Sequence, residues 1–397
     1  MSCFSTTDGK ELSDKAHGET YIQIQDLYAG LKKISNLKED DDENSETLTE
    51  IETEFKTFFP EKKSTKSVRN CKRLLQGNIL QGTITDEHRD DPLPTEGESL
   101  LLRAMSISVE KQSEQETTLK NITELLIRSC PKMILFPKKY KEDKKDKKNK
   151  KNKKFEGITP LHIAILKEDT DLLECMATAV PRNKQKIPQN INNVCATGSA
   201  FQSTVMMAGT PLGVAVLKFN RKLFRIVREQ FKSDLDVRNH KGDNIVHSLI
   251  KYAHVQPGKM KDVLKMLNYV LDCEFLPPDL SLDEKKKMKK KDVNKLLMMK
   301  NKENLNPLQL AAKRQQFEIF ELIMHHEVHC TRESSNGIYN EEVFDITEIE
   351  TLAIENDVKG DEHEIIKQEY HESVLEYFIH QQTKNAFCLL ISCPSER

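Results

Sequence analysis

Three histidines and a cysteine crowd one short stretch: His325, His326, His329 and Cys330. Imidazole and thiolate are zinc ligands, and His325 and His329 stand four apart, a spacing that puts two ligands on one helix face. A zinc centre needs more. No glutamate follows the first histidine as in His-Glu-x-x-His, and no second pair completes a four-ligand set. The cluster therefore reads as a solvated helix end, and no metal site is assigned. Glu362 and Glu364 lie in an acidic, loop-like stretch, where carboxylates are more often solvated than paired for acid–base work. Gly198 and Gly209 are isolated, with no glycine-rich run leading into Lys-Ser/Thr, and no Gly-x-Ser-x-Gly elbow occurs. The residue types and spacings point away from an enzyme.

The best-defined local signal is architectural. Gly157-Ile158-Thr159-Pro160-Leu161-His162-Ile163-Ala164-Ile165 reads as a turn glycine followed by a short capped helix. The Thr159 hydroxyl can accept a backbone N–H at the helix start. Pro160 then occupies the first helical position, where a missing N–H costs nothing. Leu161, Ala164 and Ile165 share one face by their three- and four-residue spacing. His162 is read as structural, bonded to a nearby backbone turn. Thr-Pro-Leu-His-x-Ala is the opening of an ankyrin repeat.

Similar starts recur at Gly97–Met105, Gly209–Val216, Gly242–Ile250 and Asn304–Ala312. From the 157 start onward each is followed by a second apolar segment: Leu172–Met176, Leu223–Val227, Val263–Leu267 and Phe317–Ile323. Helix pairs of this kind build a solenoid in which each unit buries its face on the next. Only the interval from 209 to 242 matches the roughly 33-residue ankyrin period. The other intervals carry insertions, expected as long fingers or extended hairpins on one face. Leu48–Phe59 and Lys66–Ile79 are candidates for a degenerate first repeat. The fold expected is all-α: an ankyrin-repeat solenoid of about six repeats, then a short β-strand linker and a terminal helix at Val374–Ile391. The domain layout expected is 1–60 largely disordered and acidic, 61–335 repeats, and 336–397 linker and helix.

The 397 residues carry 61 basic and 63 acidic side chains, for a net charge of −2. The balance hides segregation. Glu39-Asp40-Asp41-Asp42-Glu43 is an acidic run, whereas residues 138–154 and 284–291 are lysine tracts inside the insertions at 138–154 and 284–300. The tracts read as solvated, self-repelling loops, as an attraction to an anionic membrane surface, or as targeting signals. Nucleic acid is disfavoured, because no aromatics interleave the lysines and the chain is not basic. Nine cysteines without Cys-x-x-Cys, and an N-terminus without an apolar leader, suggest reduced thiols in the cytosol. No apolar run approaches the roughly 20 residues of a membrane helix.

Three further segments narrow the reading. They are Ala196-Thr197-Gly198-Ser199-Ala200-Phe201, Val343-Phe344-Asp345-Ile346-Thr347-Glu348-Ile349-Glu350-Thr351 and Ser373-Val374-Leu375-Glu376. In this order, behind the 157–165 repeat and the Gly242–His247 start, they resemble the cytoplasmic N-terminal region of vanilloid-type transient receptor potential (TRPV) channels. The resemblance covers about residues 97–380. It implies a cytosolic skirt of a tetrameric, calcium-permeable channel, on the cytoplasmic face of the plasma membrane. Fingers and post-repeat strands would meet neighbouring subunits there, through Phe201, Phe344, Ile346 and Ile349. The sequence stops at Arg397 before any membrane helix, so the resemblance is to a channel's soluble part, which would not conduct ions itself.

Some members of that family bind ATP and calmodulin on the early repeats. The phosphate-contacting lysines match Glu98 and Arg103, the base-stacking tyrosine and a nearby glutamine match Phe155 and Ile158, and an acid matches Leu166 or Lys167. Glu98 reverses a charge and Ile158 removes a hydrogen-bonding group, leaving Arg103, Phe155 and Lys167 as the nucleotide candidates. The competing reading is a free-standing ankyrin scaffold for soluble partners. Such a scaffold should end in a polar capping repeat, whereas residues 340–380 read as a strand-like linker followed by an apolar helix.

Overall fold

Five helix starts share one local design. Ser99, Thr159, Thr210, Asn244 and Asn306 are extended N-cap residues, and each side chain accepts a backbone N–H from two or three residues ahead. These short polar side chains satisfy donors that the first helical turn leaves orphaned. Pro160, Pro211 and Pro307 then open three of the helices. Just upstream, the chain turns through left-handed backbone at Gly157, Gly209, Gly242 and Asn304. Glycine and asparagine tolerate that region best.

The computed structural model describes residues 25–37, 44–59, 98–107, 113–138, 153–180, 191–276, 281–335, 340–345 and 347. The described chain is mostly helical. It divides into two units, Met1–Phe201 and Gln202–Arg397.

In the first unit, α1 covers residues 25–36, followed by α2 (Asn44–Phe58), α3 (Leu100–Ser106), α4 (Glu114–Ser129), α5 (Pro160–Lys167) and α6 (Thr170–Ala179). First helix packs on first helix, α3 against α5, and second on second, α4 against α6, with α2 on the other side of α4. The core is aliphatic: Leu100, Leu101, Ile122, Leu126, Leu161, Ala164, Ile165 and Leu173 are fully enclosed. Residues 1–60, expected to be largely disordered, contain two packed helices instead. Leu27, Leu31 and Ile34 on α1 and Leu48, Ile51 and Phe55 on α2 are buried, and their three- and four-residue spacing gives each helix an apolar stripe. Tyr28 ties α1 down by donating its hydroxyl to the Glu98 carbonyl at 2.8 Å. Burial, with Glu98 close by, pushes that phenol well above its ordinary pKa.

The second unit holds α7 (Pro211–Leu217), α8 (Arg221–Arg225, running into a π-turn Ile226–Gln230), α9 (Ile245–Val255), α10 (Met260–Leu271), α11 (Leu282–Met298), α12 (Pro307–Lys313) and α13 (Phe317–Met324). The first helices α7, α9 and α12 again stack in sequence. The lysine tract 284–291, one of whose readings was a solvated loop, is helical within α11. A capping box starts that helix: Ser281 accepts from the Glu284 N–H at 3.3 Å, and Glu284 returns to the Ser281 N–H at 3.1 Å.

Strands β1 (Cys330–Ser335) and β2 (Asn340–Phe344) follow α13 as an antiparallel pair, with Cys330 opposite Phe344 and an irregularity between Cys330 and Arg332. Of the strand signal at 343–351, Val343 and Phe344 lie on β2 and residues 346 and 348–351 lie outside the described residues, while β1 lies where no strand was expected. Lys66–Ile79, Ile346, Ile349 and Val374–Ile391 lie outside the described residues. Among the described residues no helix is long and apolar enough to cross a membrane.

Candidate functional site

The turns between helix pairs are where this chain presents backbone and polar side chains. In the first unit, residues 153–158 run between two neighbouring segments. On one side Gly157 N–H donates to the Lys138 carbonyl at 2.9 Å, and Lys138 N–H donates to the Ile158 carbonyl at 2.8 Å. On the other, Thr197 and Gly198 N–H both donate to the Glu156 carbonyl, at 2.9 and 3.1 Å, and Ala200 N–H donates to Lys154 at 3.1 Å. The segment Ala196–Phe201 is therefore laid edge-on against the turn that opens α5. Phe201 is buried beneath Phe155, with ring centroids 5.7 Å apart, and Phe155 is 46% exposed. Of the expected partner-binding residues, Phe201 sits in this seam. Phe344 is half-buried on β2, with its ring edge-on to His325 at 5.3 Å.

The nucleotide candidates make no direct contact with one another. Phe155 precedes the N-terminus of α5 and Lys167 ends that helix, so about 12 Å of helix separates them at 1.5 Å per residue. Arg103 is in the last turn of α3. No hydrogen bond, ion pair or ring contact joins the three. Glu98 is committed elsewhere: its carboxylate, almost fully enclosed, pairs with Lys138 at 3.6 Å.

The histidine cluster differs from its expected form. α13 ends at Met324, so His325 and His329 do not share a helix face. His325 directs Nδ1 to the Glu321 carbonyl at 2.8 Å and Nε2 to Glu342 on β2 at 3.3 Å. His329 is 1% exposed rather than solvated, and burial lowers its pKa. Among the described residues no group of histidine, cysteine and carboxylate side chains is arranged to hold a metal ion. Cys130, Cys175, Cys195, Cys273 and Cys330 stand outside any disulfide. Cys175 is half-buried, and its thiol is pushed up by burial and by Glu124, against the pull of Arg128.

In the second unit a repeated turn appears that the spacing of starts does not reveal. Asn239 Oδ1 accepts the N–H groups of Lys241 and Asp243, at 2.8 and 2.9 Å. Asn301 Oδ1 accepts those of Glu303 and Leu305, at 2.9 and 3.2 Å. Each asparagine thus bonds the backbone two and four residues on, and each turn ends in an asparagine N-cap, Asn244 or Asn306. The two turns join through Lys302 N–H and the Lys241 carbonyl at 3.0 Å. Beneath them the Asp243 carboxylate receives Lys251 Nζ at 2.8 and 2.9 Å, Asn301 Nδ2 at 2.9 Å and Asn239 Nδ2 at 3.3 Å. Lys251 also reaches Glu303 at 2.9 Å.

His247 completes the junction. It is fully buried, its Nε2 faces the Leu305 carbonyl at 2.9 Å, and Asn244 N–H donates to its Nδ1 at 3.4 Å. The Leu305 carbonyl takes a proton on Nε2, while Nδ1 faces both the Asn244 N–H and, at 2.8 Å, the Asn244 Oδ1. Burial holds its pKa below the ordinary value, outweighing the Leu305 carbonyl and Asp243, which favour the proton. The unfolded chain then binds the proton more readily than the native one. Stability is full above about pH 6.5 and falls as acid is added, by up to about 1.4 kcal/mol per pH unit until the native pKa is reached. We expect the melting temperature to drop between about pH 7 and 5.5, with a shallower slope in His247→Gln. An equal slope in that variant would remove His247 as the cause.

No protein-family model matches this chain.

Proposed function

We propose that the chain is a cytosolic ankyrin-type module of a TRPV-like calcium-permeable cation channel, serving subunit and partner assembly rather than catalysis. The observation that carries this reading is the ordered recurrence of one unit: a left-handed turn residue, a capped first helix, a second helix, and turns hydrogen-bonded to the next turn. It supports a repeat array, with the insertions expected of that family between repeats. The seam at Ala196–Phe201 and the strand pair after α13 support the assignment to this array over ankyrin scaffolds in general. Phe344, with Ile346 and Ile349, would meet a neighbour, as would the exposed Phe155 that covers Phe201. The module would lie on the cytoplasmic face, in a homo- or hetero-tetramer. ATP and calmodulin form no part of the proposal, and Arg103, Phe155 and Lys167 make no direct contact with one another.

The test is co-expression with a full-length vanilloid-type channel subunit, followed by detergent extraction and size-exclusion of the complex. Co-elution is expected, and Phe344→Ala with Ile346→Ala should reduce it several-fold while circular dichroism stays unchanged. Absence of co-elution, with a folded chain, would favour the free-standing scaffold.

A further inference from the structure

Helix α11 is divided along its length. Its C-terminal half is anchored: Val293, Leu296 and Leu297 are buried, Asn244 Nδ2 donates to the Leu296 carbonyl at 2.8 Å, and Lys295 pairs with Asp236. Its N-terminal half carries Lys285, Lys286, Lys287, Lys289, Lys290 and Lys291 within seven consecutive positions. Every residue of that half whose surroundings are described, Asp283, Glu284, Lys287, Lys290 and Lys291, is exposed. None of those three lysines has a carboxylate partner among the described residues. At 100° per residue, Lys287, Lys290 and Lys291 fall on one arc of the helix, centred about 120° from the buried trio Val293, Leu296 and Leu297, with Lys290 on the edge nearer that trio. Met298 lies on the same arc, seven residues beyond Lys291. At 38% exposure it is, with Phe155, Val255 and Val343, one of the large apolar side chains left in water among the described residues.

We infer that this lysine–methionine face of α11 docks on an anionic lipid bilayer. The inference is independent of the channel reading. Over the whole helix seven lysines face three carboxylates, and Glu284 is held back by its bonds to Ser281. Lys287 and Lys291 are a like-charged pair four apart, which repels in water. A surface of lipid phosphates and carboxylates relieves that repulsion. Holding the lysines on an anchored helix also lowers the ordering cost that a loose tract would meet on binding. The exposed methionine selects a bilayer over a soluble polyanion. It gains by leaving water for the interfacial region beside the basic face, in the manner of an interfacial helix, and a polyphosphate or nucleic-acid backbone offers it no such medium.

The experiment is co-sedimentation of the full chain with vesicles of phosphatidylcholine, with and without phosphatidylserine, at low and high salt. Binding should require phosphatidylserine and weaken as salt rises. At about fivefold per lysine, Lys287→Gln with Lys290→Gln and Lys291→Gln should weaken partitioning about a hundredfold. The melting temperature should not move, because all three side chains are exposed. That variant also separates α11 from the tract at 138–154, which it leaves intact. Met298→Ser should reduce vesicle binding several-fold and leave binding to inorganic polyphosphate unchanged. Equal binding to neutral vesicles, an unaltered triple variant, an equal loss of polyphosphate binding in Met298→Ser, or tighter binding to duplex DNA than to vesicles would each overturn the inference.

Discussion

Replacing Lys251 by methionine is expected to destabilise the unit Gln202–Arg397 by about 3–5 kcal/mol, the cost of leaving a buried charge without its partner. Asp243 is the charge in question. Its side chain is 2% exposed, and Lys251, at 11%, is its cation. The Asn239 and Asn301 amides also donate to the carboxylate, but they do not neutralise it. Glu303, bonded to Lys251 and at 38% exposure, keeps enough water to adjust on its own. The loss should therefore come from Asp243. The double variant Lys251→Met with Asp243→Ala should cost clearly less than the sum of the two single changes, because the second removes the charge that the first exposes. Chemical denaturation of the four proteins closes the cycle. Additive effects would mean that the pair is as weak as a surface ion pair.

This network also shows where the sequence could be read and where it could not. The helix starts were legible because they are local. A cap, a proline and a left-handed glycine sit within a few residues and act through a single turn of backbone. The Asp243 network depends on residues about sixty apart, Asn239 and Asn301, and neither differs by type from any other turn asparagine. Glycine at 242 and asparagine at 304 meet the same left-handed requirement with different residues, so identity conceals the equivalence. The signal that would have exposed it was the matched offset to the N-cap asparagines, Asn244 and Asn306.

In two segments composition conceals a helical pattern. The acid-rich N-terminus contains Leu27, Leu31 and Ile34, then Leu48, Ile51 and Phe55, at helical spacing. The lysine tract follows Ser281-x-x-Glu284, which is a capping-box signature, and lysine itself is a good helix former. Charge density says how a segment meets water; it does not forbid a helix whose other end is anchored. His329 departs from a solvated position for the opposite reason. Its neighbours are polar in sequence, yet the chain turns it inward after α13 ends at Met324, and nothing in local spacing records that turn.

The seam at Ala196–Phe201 yields the sharpest single-residue expectation. A β-carbon on Gly198 would stand 2.0 Å from the Lys154 carbonyl oxygen, 2.6 Å from its carbon and 2.8 Å from Glu156 N. All three are backbone atoms, so no rotamer change relieves the contact. The segments must separate, and the bonds from Thr197, Gly198 and Ala200 lengthen with them. Overpacking of this kind costs about 1–3 kcal/mol, and the three bonds, lengthened rather than lost, together add about 1 kcal/mol. Gly198→Ala should therefore destabilise the unit Met1–Phe201 by roughly 2–4 kcal/mol. Ser199→Ala, at an exposed neighbouring position, should stay within about 0.5 kcal/mol of the parent. Hydrogen exchange localises the effect: the amides of residues 197, 198 and 200 should lose protection in Gly198→Ala, while those of α3 and α4 keep theirs. Gly157 faces the same seam from the other side. It has φ +81°, and a β-carbon there would lie 2.3 Å from the Cys195 carbonyl oxygen, so Gly157→Ala should open the seam as well. If the seam is an assembly surface, both alanine variants should lose co-elution with the channel subunit along with amide protection. Loss of protection with assembly intact would assign the seam to stability alone. Unchanged protection in Gly198→Ala would mean that the two backbones do not approach as closely as the geometry places them.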